Sequence, residues 1–140
     1  MPKRAIYTSK PIDRKYEYAP AVVAVRAGLV FISGMVGWDE DGKIRNPNDA
    51  ARQAERAFVN LRDVLAEVGA TFDNVVMETE FVVDMSTYPE IARVRRQFFG
   101  DSRPAATLVE VSRLFKPEIL FEIQAIAVLD EGGGGIAKGK

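Results

Sequence analysis

Ala54, Ala57, Phe58, Leu61, Val64, Leu65 and Val68 recur at helical spacing, while Arg52, Arg56, Arg62 and Glu67 fall on the opposite side. A helix with one apolar stripe must set it against a sheet or another helix, so the flanking segments decide the architecture. Asn46-Pro47-Asn48-Asp49 supplies a cap and a first-turn acid, and Gly69 follows Val68 as a stop. Before this helix, Ala21 to Arg26 and Leu29 to Ser33 are β-branched, apolar runs joined by Ala27-Gly28, which predicts a hairpin; Gly34 and Gly37 then mark a loop. After it, Val75 to Met85 alternates, with Met77, Thr79, Phe81 and Val83 on one side and Val76, Glu78, Glu80 and Val82 on the other. Thr87-Tyr88-Pro89-Glu90 resembles a capping box for a second helix to about Phe99, ending at Gly100 and burying Ile91, Val94 and Phe98. Strands around Ala106 to Ser112 and Leu120 to Leu129 follow, separated by Lys116-Pro117-Glu118. The order β-β-α-β-α-β-β gives an α+β sheet with two helices on one face. The other face is expected to present Val76, Val82 and similar residues to water, and self-association is the economical way to cover it.

The 140 residues, 47% of them hydrophobic, suffice for one core and not for two. Residues 1–130 are therefore read as a single domain, and the Gly- and Lys-rich residues 131–140 as a flexible tail. Nineteen basic and 20 acidic side chains nearly cancel, so no overall field draws the chain to nucleic acid or to a membrane surface. With no cysteine and no histidine, thiolate nucleophiles, the commonest metal ligands and the commonest general base are all missing. No metal site and no cofactor are expected. No segment approaches the roughly 20 apolar residues of a membrane span, and a cytoplasmic location is the expectation.

Several segments together are similar to the RidA (YjgF) family: Leu29-Val30-Phe31-Ile32-Ser33-Gly34, Phe81-Val82-Val83-Asp84-Met85, Arg103-Pro104-Ala105, Val109-Glu110-Val111-Ser112-Arg113-Leu114 and Phe121-Glu122-Ile123-Gln124-Ala125-Ile126-Ala127. The match covers about residues 18 to 129. The resemblance implies a chorismate-mutase-like α+β fold, a homotrimeric barrel of sheets with the helices outside, and small-molecule clefts between subunits. It also implies cofactor-independent hydrolysis of reactive enamines and imines, such as 2-aminoacrylate, to a carbonyl compound and ammonia. An imine is already electrophilic, so such a site needs only to hold the substrate, direct a water and assist one proton transfer.

By the same resemblance Glu122 matches the glutamate that places the attacking water, while a second family glutamate has become Gln124. The family's carboxylate-clamping arginine falls at Ala106, in Pro104-Ala105-Ala106-Thr107. Loss of a bidentate contact of that kind costs roughly 2–4 kcal/mol of binding. Arg103 is a partial substitute, placed on the opposite strand face or in the preceding turn. Tyr18 lies a few residues before the family's pocket aromatic, whose aligned position holds Ala21.

Each of these residues also has a plain structural reading. Glu122 in an apolar strand serves a pocket or an inter-subunit ion pair. Glu78 and Glu80, with Glu110 and Glu122, either make a carboxylate-rich cleft, or pair with Arg93, Arg95 or Arg96, or face water. Glu110 and Arg113 read as a structural pair. Gly34 and Gly37 let a backbone approach a ligand or simply turn, and Trp38 is a pocket lip or packing. Ser33 and Thr107 could hydrogen-bond a ligand or a water, but nothing beside them would make either a nucleophile. Two functions follow: an imine or enamine deaminase or related hydrolase, and a non-catalytic trimer that binds a small metabolite. A nuclease has no basic patch or metal-ligand cluster to support it.

Overall fold

The computed structural model describes residues 2–130; the expected tail, 131–140, lies outside them. Six strands and two helices are arranged as β1 (Lys3–Ile6), β2 (Ala21–Ala24), β3 (Leu29–Val36), α1 (Ala50–Glu67), β4 (Val75–Val82), α2 (Tyr88–Phe99), β5 (Ala105–Glu110) and β6 (Phe121–Val128). They form one sheet in the order β1-β2-β3-β6-β4-β5, antiparallel throughout except for the parallel pair β4 and β5, which α2 connects. From Ala21 onward this is the expected order. The additional strand β1 carries Lys3 and Arg4 on a sheet edge and buries only Ile6, so no alternating apolar pattern announced it.

α1 begins where Asp49 accepts a hydrogen bond from the Arg52 backbone N–H (3.0 Å) and ends as Gly69 takes a φ of 72°. Its stripe packs on β3 and β6, and α2 packs beside it on the same sheet face. Phe58 centres the core, with its ring 5.3 Å from Phe98 and 5.8 Å from Phe121. α2 buries Ile91 and Phe99 completely or nearly so, with Val94 and Phe98 partly covered.

Two polar side chains sit inside this apolar layer. Gln53 donates to Asn46 O and Glu118 O (both 2.8 Å) and accepts from Leu120 N (2.8 Å), tying α1 to the segment that enters β6. Asn60 donates to Val36 O (2.9 Å) and Trp38 O (3.0 Å), tying α1 to the end of β3. At Gly37 a Cβ would come within 2.6 Å of Gln53 O, so the absence of a side chain lets β3 and α1 meet this closely.

The two faces of β4 are reversed relative to expectation. Val82 is fully buried and Glu78 and Glu80 are 2% and 1% exposed, all beneath the helices, whereas Met77 is 44% exposed on the uncovered face. One extra residue of β4 between the Val75 and Met77 pairings forms a bulge, which leaves Val76 exposed at the start of the strand. The uncovered face carries Phe31, Met77, Phe81, Glu122, Gln124 and Ile126. Among the described residues no helix is long and apolar enough to cross a membrane.

Candidate active site

Glu122 projects from β6 on the uncovered face because its neighbours Phe121 and Ile123 take the helix-facing positions. Opposite it, β3 contains a bulge between Ile32 and Met35, so Gly34, expected in a loop, lies within the strand. A Cβ on Gly34 would overlap the Glu122 Oε2 atom and lie 2.7 Å from Cδ. The carboxylate thus occupies space that any other residue at this position would fill.

Around the carboxylate is a cleft of about 300 Å³. Its walls come from three connections: Tyr16 and Tyr18 after the short 3-10 turn Pro11–Arg14, Trp38 just beyond β3, and Phe115 with Ile119 before β6. The Tyr16 ring lies 6.3 Å from Tyr18 and 6.1 Å from Trp38, nearly parallel to both, and 5.5 Å from Phe115, edge to face. Gln53 and Asn60 hold two of these walls from behind, through Leu120 and Trp38.

The ion pairs among the described residues are Lys10 with Asp63, Arg45 with Asp39 and Arg95 with Glu80, so Glu122 has no counter-cation there. Burial raises its pKa above the ordinary carboxylate value, making it a stronger base than an exposed glutamate. The Tyr18 hydroxyl is also raised, first by burial and then by the charge of Glu122. Among the described residues no group of three or more His, Cys, Asp or Glu side chains is placed to hold a metal ion.

Ala106 and Arg103 lie elsewhere, in a second cleft of about 340 Å³ with Glu78, Arg95 and Arg96. Ala106 is the β5 partner of Glu78 and so shares its helix-facing side, while Arg103 is in the turn before β5. Glu80 accepts from Arg95 Nη1 at 3.0 and 3.1 Å, and Arg95 Nη2 donates to the Tyr88 hydroxyl (2.7 Å). Glu78 is pushed up to about 9 by burial and by its hydrogen bond and proximity to Glu80, against the opposing pull of Arg95. Of the two readings of the glutamates, pairing with Arg95 is realised for Glu80, and neither joins Glu122, which is on the other sheet face.

The remaining expected residues are also placed. The Ser33 hydroxyl donates to Ala19 O (2.7 Å), fixing the segment that follows Tyr18. Thr107 pairs with Thr79 in register and is exposed on the uncovered face, outside the cleft around Glu122. Glu110 and Arg113 are not partners: Glu110 accepts from Met85 N (2.9 Å), and Arg113 donates to Leu114 O and Phe115 O. Tyr16 and Phe115 were not singled out from the sequence. The available signal was the i, i+2 tyrosine pair Tyr16 and Tyr18, in a segment too short to form a core element.

A six-stranded mixed sheet with two helices on one face, and on the other a carboxylate in a cleft whose aromatic walls all come from loops, defines an α+β single-sheet class. Within it the chain belongs to the endoribonuclease L-PSP family, which is the RidA (YjgF) family, whose sequence model matches residues 8–129. It is 34% identical over 128 residues to a RutC family protein of Pyrococcus abyssi, covering 91% of this chain and 98% of the relative. It is 32% identical, with the same coverage, to the 3-aminoacrylate deaminase RutC of Acinetobacter baylyi. Among solved structures, a putative endoribonuclease of Thermotoga maritima superimposes with a TM-score of 0.82 at 30% identity, covering 91% of this chain and 98% of that one. The E. coli protein TdcF with bound serine gives 0.79 at 28% identity, covering 89% and 98%.

Proposed function

We propose that this chain is a cofactor-independent hydrolase of reactive imines and enamines, working at the Glu122 cleft of a homotrimer. The observation that carries the reading is the lone Glu122 carboxylate, held in an aromatic cleft with room for a small substrate and a water. The deaminase named among the relatives supports the reaction class. In the step, the water oxygen attacks the imine carbon as Glu122 takes a proton from that water and the C=N electron pair moves to nitrogen. With the imine entering protonated, Glu122 then returns the proton to the carbinolamine nitrogen, takes up the hydroxyl proton as the C–N bond breaks and the C=O forms, and passes that proton to the departing ammonia, so that carbonyl compound and ammonium leave. General base help of this kind contributes about 10²–10⁴-fold.

Assembly bears on the site, because Glu122 and the cleft of Ala106 and Arg103 lie on opposite faces of one sheet and can meet only across a subunit boundary. The apolar uncovered face supplies a reason to associate. The test is carbonyl release from freshly generated imines by wild type, Glu122→Gln and Ala106→Arg against a no-protein control. Acceleration by wild type that falls at least about a hundredfold in Glu122→Gln supports the reading. Acceleration in Ala106→Arg alone favours the second function, a metabolite-binding trimer, since by the family resemblance Ala106 stands where an arginine holds the substrate.

A further inference from the structure

A buried acid and two unpaired cations share the cleft of about 340 Å³ beside Ala106, and the hydrolytic step at Glu122 uses none of them. Arg95 spends its charge on Glu80 and donates to Tyr88, but Arg96 and Arg103 have neither an ion pair nor a hydrogen-bond partner among the described residues. The cations around the Glu122 cleft are engaged differently. Arg56 donates to Trp38 O, Arg113 donates to Leu114 O and Phe115 O, and Lys15 and Lys116 lie over the rings of Tyr16 and Phe115. Glu78 forms part of the cleft beside Ala106 at 2% exposure, and its Oε1 atom has no hydrogen-bond partner. Its carboxyl keeps a proton up to about 9, so it brings an O–H donor and no charge to oppose the arginines. Glu80 already has both oxygens on Arg95, which leaves that proton free to turn towards a bound anion. Three guanidiniums against the carboxylates of Glu80 and Asp101 leave the cleft positive, even with the carbonyl end of α2 at its edge, worth about half a negative charge.

Glu78 and Ala106 are register partners on β4 and β5, so the arginine that the family resemblance places at 106 would lie over Glu78 and fill this space. With alanine there, the cations stand behind it, on α2 and in the turn before β5, and an acid group reaches them only from a substrate that extends past Ala106. We infer that this cleft is an acid-binding subsite in which Arg96 and Arg103 hold a carboxylate and Glu78 donates a hydrogen bond to it, and that it selects imines whose acid group stands several bonds from the C=N carbon. The inference rests on the imine-hydrolysis reading, in which this cleft of one chain meets the Glu122 cleft of another, and it names the substrate class there. A remote carboxylate supplies the binding that an acid group next to the imine carbon has lost with the arginine, and the chemistry at Glu122 is unchanged.

Arg96 and Arg103 are exposed, so replacing them leaves the core untouched. The experiment follows carbonyl release from two imines made in place by oxidation of glutamate and of glutamine, which differ only in a remote carboxylate or carboxamide. It uses the whole protein and the double variant Arg96→Gln, Arg103→Gln. Wild type is expected to favour the glutamate-derived imine about tenfold or more in kcat/KM, the scale of a charge-assisted contact, and the double variant to bring the two within about twofold. Glu78→Gln, whose amide still donates, should keep the preference, and Glu78→Met, of similar volume with no donor, should lower it about threefold. An unchanged ratio in Glu78→Met removes Glu78 from the subsite. Calorimetric binding of glutarate against glutaramate separates the subsite from the underlying reading. If both imines are hydrolysed with similar kcat/KM, or the ratio survives in the double variant, the hydrolase reading stands and the subsite falls. If neither imine is hydrolysed, yet glutarate binds about tenfold tighter than glutaramate and the double variant erases the difference, the subsite stands and the hydrolase reading falls.

Discussion

Gly34 and Glu122 are one functional unit at the scale of single residues. The glycine does not have a positive φ, so alanine fits its backbone, and the obstacle is the end of the Glu122 side chain. That end is flexible and can swing away. Gly34→Ala is therefore expected to fold with stability within about 1 kcal/mol of wild type, yet to lose imine hydrolysis nearly as far as Glu122→Gln. Parallel measurements of urea unfolding and carbonyl release check this, and wild-type activity in Gly34→Ala would separate the carboxylate's position from catalysis. Gln53 acts differently, since it is fully buried and satisfies three backbone groups at once. Gln53→Leu keeps the volume and strands those groups, so a loss of roughly 3 kcal/mol in denaturant unfolding is expected. Glu122 was legible in the sequence because a carboxylate within an apolar strand demands a reason. Gln53 and Asn60 were not, since a polar residue near an amphipathic stripe looks like any solvated position until the loop it holds is known.

Elements explain why the sheet faces were harder to read than the elements themselves. The α1 stripe and its stop signals are periodic and local, and they correspond to Ala50–Glu67 with Gly69 behind it. In β4 both faces mix apolar and polar residues, and the glutamates suggested a wet face. The chain instead buries Glu78 and Glu80 beneath α2 and places Arg95 over them, a pairing between two elements that neither pattern shows alone. This arrangement has a measurable pH signature. Glu78 holds its proton in the folded state up to about 9, whereas an unfolded glutamate releases it near 4.5. Between those values the folded chain binds the extra proton, so stability falls as pH rises, by up to about 1.4 kcal/mol per pH unit, and levels off once the folded group has ionised. In Glu78→Gln, which mimics the protonated acid, this contribution is gone. The variant is expected to gain on wild type steadily from about pH 5 to about pH 9 in urea unfolding, and parallel pH profiles for the two proteins would refute the buried-proton account.

At the scale of the whole molecule, the sheet is covered on one face only. The uncovered face bears Phe31, Met77 and Ile126 side by side, since Ile126 pairs with Phe31 on one side and with Met77 on the other. Phe31 and Met77 are both more than two-fifths exposed, which is unusual for a contiguous apolar strip on a lone chain. If three copies close this face into a barrel, the strip becomes the interior, and a charge placed there is costly to the assembly while nearly neutral to the separate chain. Met77→Glu is the discriminating change because Met77 already contacts water in the single chain. Light scattering should give about three times 15.5 kDa for wild type and a shift towards 15.5 kDa for the variant, with helix content in circular dichroism retained. Carbonyl release should fall together with the trimer, because the Ala106 side of one chain then no longer meets the Glu122 cleft of another. A monomeric Met77→Glu that hydrolyses imines at the wild-type rate would place the whole reaction within one subunit, around Glu122 and its aromatic walls alone.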